Sequence, residues 1–328
     1  MKTWNAEAIL EMARAYQPAA VLVAAADLNL FEHLASGPKT AGELAAKMNC
    51  DIRGLRMLLD ALAALELLGK NNDSYQNAPG VTEALAGPNA TSLAMAQHQG
   101  SCMRRWAQLA VTVKTGRPPQ RIPGARGEAG DQQSFIGAMH NVSAPMADDV
   151  IRSIQPLSFQ HLLDVGGGPG TWTMAFLKAC PTGRATLFDL PEVIPLAKKR
   201  FETTEFRNRV QFVPGDFYTD ALPAGADLIW ISAIVHQNSR EQNRALFAKA
   251  MQALAPGGRL AIRDIVMEEN RVNPVAGALF AINMLTATEG GGTFTFEELR
   301  QDLAAAGFTQ ITLARQDSAM NSIIIARP

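Results

Sequence analysis

Apolar positions along the chain change their spacing near residue 160. Before it they recur at helical intervals. After it, apolar runs of four or five residues alternate with helix-spaced segments. Recurrence every three to four residues marks the buried stripe of a helix, and a short apolar run closed by turn residues marks a buried strand. Trp4, Ala8, Met12 and Ala15 share one face and Pro18 opens a new element, so residues 4–35 read as two helices. Thr40, with Glu43 three residues on, is a capping-box pattern that starts a helix at Ala41–Met48. Leu55, Leu58, Leu59, Leu62 and Leu65 form the stripe of a second helix over residues 52–68, closed by Gly69. Tyr75 and Gln76 lie in a short polar segment, and helix resumes at Val81–Leu85. Residues 90–113 and 134–154 also read as helices, separated by a Gly-, Pro- and Arg-rich loop over residues 115–132.

Beyond residue 160 the candidate strands are residues 162–165, 185–188, 210–213, 228–231 and 260–264. Helical segments fall between them, and Pro256-Gly257-Gly258 ends the one that starts near Arg240. Strands alternating with helices build a parallel sheet covered on both faces, so the fold class is α/β, doubly wound. Residues 310–313 and 322–326 read as a closing antiparallel hairpin. With 328 residues, 47% of them hydrophobic, the chain has material for more than one core. The expected domains are residues 1–100, a helical connector at 101–155, and 156–328.

Charge narrows the partners. A net charge of −1 argues against a general binder of nucleic acid or membrane surfaces. The helix-turn-helix-wing order of residues 38–86 resembles a winged-helix module, a type that often binds DNA. Between Lys39 and Lys70, however, five basic residues face four acidic ones, which gives no field for phosphates. A scaffold or dimerisation role fits better. Cys50, Cys102 and Cys180 are widely spaced, with neither a disulfide framework nor metal-ligand spacing. The most apolar early run, residues 19–26, is cut by Asp27 and falls short of the ~20 residues that span a bilayer. The expectation is a cytoplasmic protein without metal, membrane or nucleic-acid partners.

The candidate chemistry centres on residues 161–172. An apolar run ends in Asp164-Val165-Gly166-Gly167-Gly168-Pro169-Gly170, and an amphipathic segment follows. Strand, tight glycine turn and helix form the opening of a nucleotide-binding unit, in which free helix N–H groups face the ligand. The dinucleotide frame Gly-x-Gly-x-x-Gly fails at Thr171. What fits is Asp-x-Gly-x-Gly-x-Gly: Asp164, Gly166, Gly168 and Gly170. Ligands in open α/β sheets lie beyond the carboxyl ends of strands. Asp189 ends the second strand, at about the spacing where an acid meets ribose hydroxyls. After the third strand come Asp216 and Phe217, an acid for an exocyclic amine and a ring for a base.

The glycine pattern resembles the first motif of S-adenosylmethionine (SAM) methyltransferases. Together with Phe188-Asp189-Leu190-Pro191, Gly215-Asp216-Phe217 and Pro256-Gly257-Gly258, it is similar over almost the whole chain to the small-molecule O-methyltransferases typified by the caffeic acid and acetylserotonin enzymes. The resemblance implies a doubly wound SAM-methyltransferase sheet with an N-terminal winged-helix dimerisation domain, and a homodimer joined through it. It implies SAM as cofactor, held by Asp164, Gly166, Gly168, Gly170, Asp189, Leu190, Asp216, Phe217 and Ser232, and a small-molecule hydroxyl as acceptor. His236, past the fourth strand, matches the family's general base. Asp264, ending the fifth, matches the acid that orients the imidazole. Asn283 and Met284 match substrate-contacting positions. Met139 and His140 are candidates for a pocket wall from the helix over residues 134–154.

A hydroxyl acceptor is protonated at neutral pH, since a phenol ionises near pH 10, and a base that removes the proton is worth about 10²–10⁴-fold. Two departures from the family stand out. His236 is followed by Gln237-Asn238 where the family has Asp-Trp, and Thr293 replaces a second acid. These leave open C- or N-methylation, or a non-methylating rearrangement. A SAM-sensing regulator that binds DNA is the reading from another class.

Overall fold

Residues 3–154 and 158–328 are described by the computed structural model, and the expected boundary between residues 155 and 156 lies outside them. The chain divides into two units, Met1–Arg104 with Arg121–Asn141, and Arg105–Gln120 with Val142–Pro328. The connector expected at 101–155 is shared between them.

The first unit opens on three helices rather than two: Ala6–Arg14, Tyr16–Asp27 and Leu30–Leu34. Asn29, at a φ of 52°, turns the chain between the second and the third. The helix Ala41–Met48 carries its capping box, with the Glu43 N–H on Thr40 Oγ1 at 3.2 Å and the Thr40 N–H on Glu43 at 2.7 Å. The next helix stops at Ala64, not at residue 68. Glu66 takes a φ of 60° and the Leu67 N–H turns back to the Leu62 carbonyl at 3.0 Å. Leu68–Asn71 is then a strand, antiparallel to Ser74–Asn77, and Gly69 lies opposite Gln76 inside that ladder. Lys39–Thr40 adds a third strand on the far side of Ser74–Asn77. Leu68 is buried with Phe31, Leu44, Leu59 and Leu62, while the first helix buries none of its residues.

The segments expected at 90–113 and 134–154 are each two helices, Leu93–Trp106 with Leu109–Thr115, and Gly127–Ser143 with Ala147–Ser153. Pro145 has no N–H to continue the ladder, so the helix breaks there. The loop expected over 115–132 is shorter, because helix already begins at Gly127.

The second unit is built on seven strands: β1 (His161–Val165), β2 (Arg184–Asp189), β3 (Val210–Pro214), β4 (Ala226–Ser232), β5 (Leu254–Asp264), β6 (Gln310–Arg315) and β7 (Ser322–Arg327). Their order across the sheet is β6-β7-β5-β4-β1-β2-β3. β5, β4, β1, β2 and β3 are parallel, and β7 runs antiparallel to both β5 and β6. This is the expected doubly wound sheet with its closing hairpin. Four helices matter for the site: α1 (Thr171–Ala179), α2 (Ile194–Phe201), α3 (Arg240–Ala253) and α4 (Val275–Ala287).

Alternate side chains face opposite sides of a strand. Ile229, Ile231, Leu260 and Ile262 therefore pack with Leu246 and Phe247 of α3, while Trp230, Ala261 and Ile323 pack with Trp172 and Phe176 of α1. Each of the buried isoleucine, leucine and phenylalanine side chains contributes roughly 1.5–3 kcal/mol. Because five neighbouring strands are parallel, their carboxyl ends open at a single edge. No helix among the described residues is long and apolar enough to cross a membrane.

Candidate active site

β1 ends at Val165, and the backbone reverses through Gly166, Gly168 and Gly170 at φ values of 65°, 54° and 76°. At Gly168 nothing would meet a Cβ within 4 Å, so the space above it is open, and its N–H donates to Asp189 Oδ2 at 2.6 Å. At Gly170 a Cβ would run into the Phe201 ring. Arg200 of α2 steadies the turn from outside, donating to the Pro169 carbonyl at 3.1 Å and the Thr171 hydroxyl at 2.8 Å. Asp164 is fully enclosed and accepts from the Thr173 hydroxyl at 2.5 Å, which ties the end of β1 to the first turn of α1. Burial pushes its carboxyl up to about 7, and the nearby Asp189 adds to the shift.

Asp189 closes β2. Its second oxygen accepts the Leu190 N–H at 2.7 Å. Burial raises its pKa, and the two backbone bonds pull the other way. Each oxygen keeps a lone pair, which suits a vicinal diol. Beyond β3, Asp216 Oδ1 accepts the Tyr218 N–H at 2.8 Å, leaving Oδ2 for an amine. Phe217 lies beside Gly166, 3.9 Å from where a Cβ there would stand. Leu190 is 39% exposed, an apolar surface beside Asp189. These residues, spread over three strand ends, offer donors, acceptors and an aromatic face at one edge, and they fit a nucleoside with a charged tail.

His236 sits in a 3₁₀ turn, Val235–Gln237, just past β4. Its Nδ1 is 2.8 and 3.0 Å from the two oxygens of Asp264, which ends β5 and is 1% exposed. Asp264 also accepts the Ile265 N–H at 2.8 Å and the His236 N–H at 3.4 Å. Two carboxylate oxygens at Nδ1 require the proton there, so Nε2 is the free acceptor. Phe280 of α4 meets the imidazole edge-on at 4.8 Å and fixes its plane. One turn along α4, Asn283 accepts from the Trp106 indole N–H at 3.0 Å. Met284 is buried. Thr293 is also buried, and its hydroxyl donates to the Gly277 carbonyl at 3.3 Å. Met139 and His140 are half-buried on the helix Gly127–Ser143 and belong to the first unit.

Ser232 accepts from Arg263 at 3.0 Å. Arg263 is 1% exposed, donates to Asn321 at 2.9 Å, and stacks its guanidinium 4.4 Å from the centre of the Trp172 ring. Burial lowers its pKa to about 10, against the pull of Asp264 and Asp317. The sequence reading missed Arg263 although a visible sign existed: a cation inside the apolar run that ends β5. It also missed Phe280, Tyr218 and the asparagines behind His236.

Among known proteins, the O-methyltransferase domain matches residues 106–309 and the O-methyltransferase dimerisation domain matches residues 10–84. The chain is 31% identical over 312 residues to the tetracenomycin polyketide synthesis 8-O-methyl transferase TcmO of Streptomyces glaucescens, covering 92% of this chain and 91% of that one. It is 28% identical over 331 residues to the N,N-dimethyltransferase OxyT of Streptomyces rimosus, covering 98% and 96%. The solved structure of human N-acetylserotonin methyltransferase in complex with SAM superposes with a TM-score of 0.82 at 26% identity, covering 100% of this chain and 99% of that one.

Proposed function

The chain belongs to the SAM-dependent O-methyltransferase family, and from that premise we propose that it methylates a hydroxyl of a small phenolic metabolite, with His236 as the general base. One observation carries this reading: the imidazole Nδ1 held at 2.8 and 3.0 Å by the buried carboxylate of Asp264, at the edge where the glycine turn, Asp189 and Asp216 also lie.

In this reading Asp189 accepts from the ribose hydroxyls, Asp216 and Phe217 take the adenine, and the Gly168 turn faces the amino-acid end. Leu190 lines the ribose, and Ser232, tied to Arg263, closes the site on the β4 side. Asp164 acts from behind, holding the turn against α1. SAM, when bound, supplies a methyl group on a positively charged sulfur. His236 Nε2 removes the proton from the acceptor hydroxyl, and the oxygen becomes the nucleophile. The proton then sits on an imidazolium whose other N–H stays on Asp264, so the developing charge is stabilised in place. Asn283 and Met284 on α4 take the acceptor.

A phenolic acceptor draws support from the 3-hydroxy-5-methyl-1-naphthoate 3-O-methyltransferase of Streptomyces sahachiroi, 29% identical to this chain over 306 residues, which is named for methylating a hydroxyl on an aromatic ring. A homodimer is supported by the dimerisation-domain match and by the first helix, which leaves Ile9, Leu10 and Met12 exposed. A second reading, N-methylation, draws support from the OxyT relative and from the Gln237, Asn238 and Thr293 departures. Methyl-labelled SAM incubated with paired phenol and aniline acceptors separates the two. Label in aryl ethers that disappears in His236→Ala supports the first; label confined to amines contradicts it.

A further inference from the structure

Behind the turn that carries His236 lie two asparagines with no solvent exposure, Asn238 and Asn243. A buried amide must find partners for both its ends, so the order of its bonds is informative. Asn243 Nδ2 donates to the Val235 carbonyl at 3.0 Å. Its oxygen therefore faces Asn238, whose Nδ2 donates to it at 3.0 Å. The Asn238 oxygen must then take a donor from elsewhere, and the Tyr218 hydroxyl supplies it at 2.6 Å. The chain of bonds runs one way, from Tyr218 to the peptide that precedes His236.

Tyr218 is the residue after Phe217, and the two rings lie 4.5 Å apart. The same loop is pinned a second time from α3: Lys249 donates to the carbonyls of Phe217, Tyr218 and Asp220 at 2.8, 2.9 and 2.8 Å. Ser239 caps α3 immediately after the His236 turn, so loop, helix and turn are one hydrogen-bonded body. Burial and the neighbouring Asp216 raise the Tyr218 pKa, which keeps the phenol protonated and able to donate.

We infer that Tyr218 and Asn238 are positioning residues: they brace the loop that faces the adenine against the turn that carries the base, so that occupancy of the first steadies the second. The brace rests on the assignment of His236 and Asp216 given above. No other strong donor to the Asn238 oxygen is present among the described residues, so Tyr218→Phe strands a buried acceptor at the cost of a single oxygen atom.

Tyr218→Phe, Asn238→Leu and the double variant test this in the full-length protein, with kcat, the acceptor KM and the affinity for S-adenosylhomocysteine measured for each. The expected result is a loss of roughly ten- to a hundredfold in kcat for either single variant, with weaker S-adenosylhomocysteine binding and an unchanged acceptor KM. The double variant is expected to be no worse than the poorer single one, since either change breaks the same link. A Tyr218→Phe protein with lowered Tm but wild-type kcat and affinity overturns the brace, as do single effects that multiply. If instead His236→Ala turns over normally, the base assignment fails, while the effect on S-adenosylhomocysteine affinity still reads the brace by itself.

Discussion

Replacing Asp264 with Asn keeps its shape and changes one atom and one charge. The carboxylate meets three N–H groups: His236 Nδ1, the His236 backbone and the Ile265 backbone. The Ile265 N–H claims Oδ1 at 2.8 Å, so the introduced amide presents its NH₂ in the position of Oδ2, 3.0 Å from the ring nitrogen. Oδ1 stays 2.8 Å from Nδ1 but must serve the ring N–H and the Ile265 N–H together, while the NH₂ faces both the ring N–H and the His236 backbone N–H, so the hold on the ring's tautomer weakens. The lost charge acts in the same direction: a carboxylate about 4 Å from an imidazolium is worth about 4 kcal/mol at an effective dielectric of 20. That corresponds to about a thousandfold in kcat. The assay is single-turnover transfer from methyl-labelled SAM at saturating acceptor, alongside calorimetric binding of S-adenosylhomocysteine, which is expected to change by no more than about threefold because no Asp264 atom belongs to the nucleoside site. An Asp264→Asn protein with native near-UV circular dichroism and a kcat within about fivefold of wild type would refute the assignment.

Other outcomes follow from the glycine turn and the acid behind it. A carboxyl raised from 3.8 to about 7 in the folded state carries its proton when the unfolded chain has already lost it, so Asp164 makes stability fall as pH rises from about 4 through 7. The ceiling on that loss is about 4 kcal/mol. Urea titrations of the cofactor-free protein are expected to show the decline in wild type and a flatter profile in Asp164→Asn; parallel profiles contradict it. Gly168→Ala meets open space and bears only the left-handed backbone cost of about 1–2 kcal/mol, whereas Gly170→Ala also drives its methyl into Phe201. Thermal unfolding is expected to separate the two by several degrees, and equal Tm values would show the turn relaxing freely.

Much of the nucleotide-binding unit was legible because its signals are local. Apolar runs of four or five residues named each of the parallel strands, and Asp189, Asp216 and Asp264 fell at strand ends where a parallel sheet collects them. The first unit was less legible. Leu68 continues the leucine stripe of the preceding helix, yet it opens a small sheet in which it and Tyr75 are the buried side chains among Lys70, Ser74 and Gln76, too few to show an apolar alternation. Helical periodicity also ran across Pro145, and only the missing N–H told otherwise. At the site, the residues after His236 depart from the family pattern and name no support for the ring. The geometry supplies that support from positions no short motif could name: Phe280, far along the chain on α4, and Asn243, buried on the inner face of a helix with a polar sequence.

In the proposed mechanism His236 takes the proton from the acceptor oxygen. The most direct measurement compares wild type with His236→Ala at saturating SAM, using a phenol acceptor, from about pH 7 towards the ionisation of the phenol near 10. The expected deficit is about 10²–10⁴-fold at neutral pH and closes as solvent ionises the acceptor without help. A deficit of constant size across that range, or none at all, would contradict it.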